Sequence, residues 1–355
     1  MNHNSRDVLL VGSIGLSDAD EVFRTVTSTL GERVKRIPDG ETGWARSVWI
    51  QCQRPFFLGN PALEMLEPDS AHPGNFRSAR VPSAGIYAHT RADFYPGRAR
   101  LRAGVSAADV RFDNVGYADW AEESYTTFAR LKQGGLIPID TRFQVSLPDP
   151  SIVLDAMVWP DAVPAVGPAY SAAVVGEIER MTARIPTNEL AIQWDCTQPV
   201  AYDSANTDGK RKMVESMARL SHVVPPAVEL GYHLCYGDFE HRHAVQPRDL
   251  AVCVEMANGL TAAASRALTW VHMPVPRDRT DAAYVEPLRR LRLPSATRLY
   301  LGLVHQTDGL TGTRQRMEVA SSVYSDFGIA TECGLGRRAA PDIAGLLRIH
   351  ARAAD

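Results

Sequence analysis

The stretch Gly231-Tyr232-His233-Leu234-Cys235-Tyr236-Gly237-Asp238 ends a short apolar run and sets a histidine two residues from a cysteine. On a β-strand, residues i and i+2 point to the same side, so His233 and Cys235 converge on one point. Imidazole nitrogen and thiolate sulfur are borderline-to-soft donors, and zinc accepts both. A His-x-Cys pair alone is equally what a buried, metal-free pair looks like. Its weight comes from the candidate partners at the ends of other strands.

Working outward from this strand, the chain alternates between short apolar runs and helical periodicity. Upstream, Asp7 to Gly12 reads as a buried strand, and Ser17 caps a helix through about Leu30 with Val22, Phe23, Val26 and Leu30 on one face. Val34 to Ile37 is a second strand, breaking into Pro38-Asp39-Gly40-Glu41. A helix near Asp119–Gln133 precedes strand Phe143–Leu147, and a helix from Ala169 to Ala183 precedes strand Leu190–Trp194. A helix over Lys210–Leu230 leads into the His233 strand itself. Downstream, strands Leu268–Val271, Leu299–Val304 and Gly328–Thr331 alternate with helices after Pro247, at Ala282–Arg292, at Thr313–Asp326 and at Pro341–Ala351. Eight strands in βα alternation predict one α/β domain over residues 1–355, a single (β/α)8 TIM barrel. No Gly-x-Gly-x-x-Gly follows any strand, which disfavours an open doubly wound sheet. Residues 44–115 break the pattern with many Pro, Gly, Arg and aromatic residues (Trp44, Trp49, Phe56, Phe57, Tyr87, Phe94 and Tyr95 among them) and read as a long insertion after the second strand. It serves either as an aromatic lid or as a structural or dimer-contact element.

Barrel enzymes build their sites at the C-terminal ends of the strands. Those ends carry Ser13, Asp39, Glu41, Ser146, Asp195, Cys196, His233, Cys235, His272, His305, Glu332 and Cys333. The chain has only ten histidines and five cysteines, so three of each at strand ends is a concentration of chemistry.

In this context His233-Leu234-Cys235-Tyr236-Gly237-Asp238-Phe239 resembles the zinc-binding strand of the cobalamin-independent methionine synthases, within the uroporphyrinogen decarboxylase/methionine synthase-like superfamily. Glu332-Cys333-Gly334-Leu335 resembles that family's acidic-Cys-Gly-Leu motif, Gly12-Ser13 its first-strand Gly-Ser, Asp39-Gly40-Glu41 its His-Gly-Glu, Ile192-Gln193-Trp194-Asp195 its Ile-Gln-Ile-Asp, and Val304-His305 its Ile-His. The resemblance implies a zinc ion on His233, Cys235 and Cys333 that binds a substrate thiol as thiolate. It implies substrate contacts from Ser13, Glu41 and Asp195, and His305 as proton donor near the leaving group. Asp39 and Ser146 join the expected substrate-binding set, and Asp195 the expected catalytic one.

Departures matter as well. His272 stands where the family has a glutamate ligand, so it is read either as a fourth metal ligand or as a substrate contact, with Glu332 or water completing the shell. Cys196 replaces a glutamate after Asp195 and reads as a small buried residue. The expected function is a zinc-dependent methyl or alkyl transferase acting on a small, homocysteine-like thiol with an alkyl donor, such as a methylated folate or a different one. The alternative is a lyase, decarboxylase or hydrolase on the same barrel, with the metal as Lewis acid or with none. His241 and His243, past the strand, read as solvated, as do Arg337 and Arg338.

The remaining expectations come from composition. Hydrophobic residues make up 45% and charged residues 22%, with a net charge of −3, so neither nucleic acid nor an anionic membrane is an expected partner. No apolar run reaches the roughly 18 residues of a membrane span. A polar start and five sparse cysteines predict reduced thiols and a cytoplasmic location. A homo-oligomer is compatible with this composition.

Overall fold

Short apolar runs separated by amphipathic helices pair side by side in this chain. A computed structural model describes residues 6–42, 46, 49–66, 97–197, 206–237, 243, 245–336 and 338–355. The strands are β1 (Arg36–Pro38), β2 (Leu63–Leu66), β3 (Arg98–Leu101), β4 (Arg142–Pro148), β5 (Leu190–Cys196), β6 (Glu229–Leu234), β7 (Trp270–Pro274), β8 (Arg298–Val304) and β9 (Phe327–Thr331). Seven form one parallel sheet in the order β1-β4-β5-β6-β7-β8-β9, while β2 and β3 make a separate antiparallel pair. The strands of the large sheet are buried along nearly their whole length, as a parallel sheet covered by helices requires.

The sheet curls so that its two edge strands meet a common segment. Val8 bridges Val34 on one side and Ile329 on the other, and Ile14 bridges Leu335 further along. The predicted first strand, Asp7 to Gly12, is thus an extended segment making single bridges, and the regular sheet has seven strands where eight were expected. Among the described residues β1 is only three residues long, which leaves little edge for a continuous ladder. Leu9, Val11, Ala191, Trp270, Tyr300 and Ala330 form a small inner cluster, and the helices pack against the opposite face in the main core. The indole of Trp270 fills the space beside Gly231, where a Cβ would lie 1.8 Å from the ring.

Helix boundaries follow local chemistry. The first helix, Ala19–Leu30, is capped by Asp18, whose carboxylate accepts from the Glu21 N–H at 2.8 Å, so the cap is one residue past the predicted Ser17. An unpredicted helix, Pro150–Met157, has proline at its first position and Asp149 as cap. The helix expected to reach Leu230 ends at Val223, ahead of Pro225-Pro226, and Leu230 belongs to β6. No helix among the described residues is long and apolar enough to cross a membrane.

Within the insertion, the described parts are a 3-10 turn and short helix over Trp49–Leu58, the β2–β3 pair and a turn at Ala107–Asp109. Trp44, Tyr87, Phe94 and Tyr95 lie outside the described residues, as do Asp238, Phe239, His241 and Arg337.

Candidate metal and active site

The parallel register sets strand ends level with one another. Asp195 on β5 lies opposite His233 on β6, His233 opposite His272 on β7, and His272 opposite Tyr300 on β8. Alternation turns His233 and Cys235 to one side, while Tyr232 turns outward and donates its hydroxyl to the Met217 carbonyl at 2.7 Å. Cys333 follows β9 in a turn held by Thr331, whose Oγ1 donates to the Cys333 carbonyl at 2.7 Å. The potential ligand atoms of His233, Cys235 and Cys333 all lie within 4.8 Å of one another, and the two sulfurs are 4.0 Å apart. Two sulfurs on a tetrahedral zinc, each about 2.3 Å from it, stand about 3.8 Å apart, so spacing and donor chemistry fit that ion. Among the described residues no other group of three His, Cys, Asp or Glu meets this condition. The five cysteines form no disulfide.

His272, expected as a fourth ligand or a substrate contact, sits behind His233 with both ring nitrogens engaged. Its Nε2 lies 3.0 Å from the Thr331 carbonyl, which can only accept, so Nε2 carries the hydrogen. Burial pushes the His272 imidazole down to about 3, which keeps it neutral and leaves a lone pair on Nδ1. His233 Nδ1, 2.7 Å away, must then be the donor of that pair, and the lone pair of His233 falls on Nε2. A neighbour that fixes the tautomer of a ligand histidine in this way is a recurring feature of metal sites.

Beside Cys333, Glu332 joins two histidines. Its Oε2 lies 2.9 Å from His243 Nε2 and its Oε1 3.7 Å from His305 Nδ1. Burial alone would raise the Glu332 carboxyl, but the His243 hydrogen bond and the neighbouring His305 outweigh it and hold the group well below the usual carboxylate range. His305 donates from Nε2 to the Val275 carbonyl at 2.8 Å. His243 was expected to be solvated. Its side chain is instead largely covered, bonded to Glu332 and set edge-on against Tyr236 with ring centroids 5.3 Å apart. The one sequence signal for it is its position just past the C-terminal end of the His233 strand, where sites in α/β folds of this kind form.

The acidic residues gather nearby. Asp39 Oδ1 accepts from the Glu41 N–H at 3.0 Å, an Asx turn that requires positive φ at Gly40 (85°) and at Glu41 (48°). Glu41 accepts a short hydrogen bond from the Ser13 hydroxyl. Arg46, which sequence reading missed, pairs with Asp39 at 2.7 Å. Asp195 lies deep in the site, where burial and then the charges of Glu41 and Cys333 push its carboxyl well up, against a 2.8 Å hydrogen bond from Gln193. Ser146 donates to the Val11 carbonyl at 3.2 Å. A cleft beside these groups is lined by Glu41, Arg46, Trp49, Cys52, Tyr117 and Ser146, so the insertion contributes part of its wall.

The Cys333 and Ser13 segments are locked together. The Leu335 N–H donates to the Ser13 carbonyl at 2.5 Å, and a Cβ on Gly336 would sit 2.5 Å from that of Ser13. Cys196 is wholly buried, as expected of a small core residue. Arg338 pairs with Gln306 at 3.0 Å.

With this geometry established, comparison with known proteins places the architecture. No family model matches the sequence, and no curated protein matches it. Solved structures do match in three dimensions. A B12-independent methionine synthase from Shewanella sp. W3-18-1, in complex with selenomethionine, superposes over 99% of this chain and 96% of its own with a TM-score of 0.59. The chain has the cobalamin-independent methionine synthase fold. A candidate vitamin-B12-independent methionine synthase from Listeria monocytogenes matches over 99% of this chain and 98% of its own, with a TM-score of 0.55. A methyltransferase from Methanosarcina mazei matches over 97% and 94%, with a TM-score of 0.50. Sequence identities are 12%, 12% and 11%, so the likeness is one of fold.

Proposed function

We propose that this chain is a zinc-dependent transferase that moves a methyl or other alkyl group onto a small thiol, with residues 7–14 completing an eight-stranded barrel. The observation that carries this reading is the convergence of His233, Cys235 and Cys333 at the strand ends. The fold shared with methionine synthases and a methyltransferase supports it, and so does the selenomethionine held by the Shewanella protein, an analogue of a methylated amino-acid thiol.

His233 Nε2 and the sulfurs of Cys235 and Cys333 would hold the ion. A bound zinc lowers the pKa of a thiol that reaches it, supplying a nucleophile at neutral pH. The chain's own groups do the remaining work. Glu41, with Ser13 hydrogen-bonded to it, presents negative charge suited to a substrate ammonium, while Asp39, paired with Arg46, holds the turn that places it. Asp195, its carboxyl pushed up beside them, contacts a polar group of the substrate. Ser146 and the insertion residues Trp49 and Cys52 shape the cleft. His305 supplies a proton to the donor atom that loses its alkyl group, as a positioned imidazole suits general acid catalysis. The donor is an alkylated amine of the methylated-folate type or another electrophile. The chain acts in the cytoplasm on small molecules, without nucleic acid or membrane.

The test is metal content of protein purified without added metal. About one zinc per chain, lost in both Cys235→Ser and Cys333→Ser, is the expected result. A wild-type chain that takes up no zinc when it is offered overturns the reading.

A further inference from the structure

Glu332 is the only carboxylate among the described residues paired with two histidines, and one of them, His243, comes from the segment that follows the His233 strand. Its side chain is 10% exposed, those of His243 and His305 are 5% and 4%, so this is a buried network and not a surface cluster. A buried carboxylate is costly unless paired, and here its two oxygens are divided between the two rings. On His305, Nε2 is committed to the Val275 carbonyl whatever the charge of the ring. Nδ1 is therefore the nitrogen that can give up or regain a proton, and Glu332 lies beside that nitrogen. At 3.7 Å the carboxylate stands beside Nδ1 but beyond hydrogen-bond distance. His243 occupies the other carboxylate oxygen, and its ring is braced by Tyr236, next to the metal-strand residue Cys235.

We propose that Glu332 and His243 are positioning residues for His305: together they fix the orientation of its ring. This rests on the proposed transferase reading. In the reaction, the sulfur–carbon bond forms as the donor's nitrogen–carbon bond breaks, and the nitrogen takes the proton that leaves His305 Nδ1. His305 then regains a proton from water when product departs. Glu332 neither transfers nor gains a proton in this cycle; it holds the ring in place.

The test uses zinc-loaded, full-length protein as wild type, Glu332→Gln, His243→Ala and His243→Gln, whose amide can still reach the carboxylate. With ring-15N-labelled histidine, the His305 nitrogen signals are expected to shift in Glu332→Gln and His243→Ala and to return toward wild type in His243→Gln, with zinc content unchanged in all. With L-homocysteine and a methylated folate as probes, kcat should fall on the order of 10- to 100-fold in the first two variants while KM for the thiol holds, within what a positioned acid contributes. Unmoved His305 signals, or loss of zinc alongside them, would overturn the assignment. The nitrogen signals are read without turnover, so a wild type that transfers no methyl group would fail the functional reading alone.

Discussion

At the scale of single residues, His272 determines which nitrogen of His233 faces the sulfurs. The chain Thr331 carbonyl, His272, His233 fixes one tautomer through two hydrogen bonds of 3.0 and 2.7 Å. His272→Ala removes the acceptor for His233 Nδ1 but none of the three proposed ligands. Zinc affinity, measured by competition with a chromophoric chelator, is expected to fall roughly 10- to 100-fold, the usual effect of losing such a support. Unchanged affinity would mean that His233 needs no such orientation. Which residues support and which ligate was not legible in the sequence, because His233 and His272 are both strand-end histidines. Only the register, which sets them side by side, and the carbonyl of Thr331 separate the roles.

At the scale of elements, seven parallel strands and most of the alternating helices were readable from apolar runs and periodicity, since buried strands and amphipathic helices carry those patterns directly. The convergence of His233, Cys235 and Cys333 was readable for a related reason: strand ends are identifiable, and side chains there gather on one side of the sheet. The first strand was over-read because an apolar run does not reveal how much partner edge is available. His243 and Arg46 were missed because their positions depend on loop paths that no periodicity encodes. Inside the sheet, Gly231 and Trp270 show how tightly neighbouring strands fit. A methyl group at Gly231 collides with the indole, so Gly231→Ala is expected to destabilise the fold by about 1–3 kcal/mol, read as a lowered denaturant midpoint. A midpoint equal to wild type would show that β6 and β7 can part at little cost.

At the scale of the whole molecule, acid stability tests how firmly the last helix, Ala340–Ala354, packs onto the sheet. His350 on that helix is fully buried, donates from Nδ1 to the Leu346 carbonyl at 2.8 Å, and is pushed by burial from 6.5 to about 4. Unfolded, this ring takes up a proton as pH falls below 6.5; folded, it does so only near 4. Its contribution to stability is therefore complete above 6.5 and is lost as pH falls toward 4, by roughly 3 kcal/mol in all. Urea unfolding of wild type and His350→Leu between pH 7 and 4.5 should show the steeper decline in wild type, and parallel curves would refute the assignment. The central claim, that the strand ends of this sheet present a metal to a thiol, is tested most directly by the visible spectrum of the cobalt-substituted protein. The account predicts cobalt bands with sulfur charge-transfer character from Cys235 and Cys333 that change when L-homocysteine is added, reporting a third sulfur on the ion. A cobalt spectrum that added thiol leaves unmoved would contradict it.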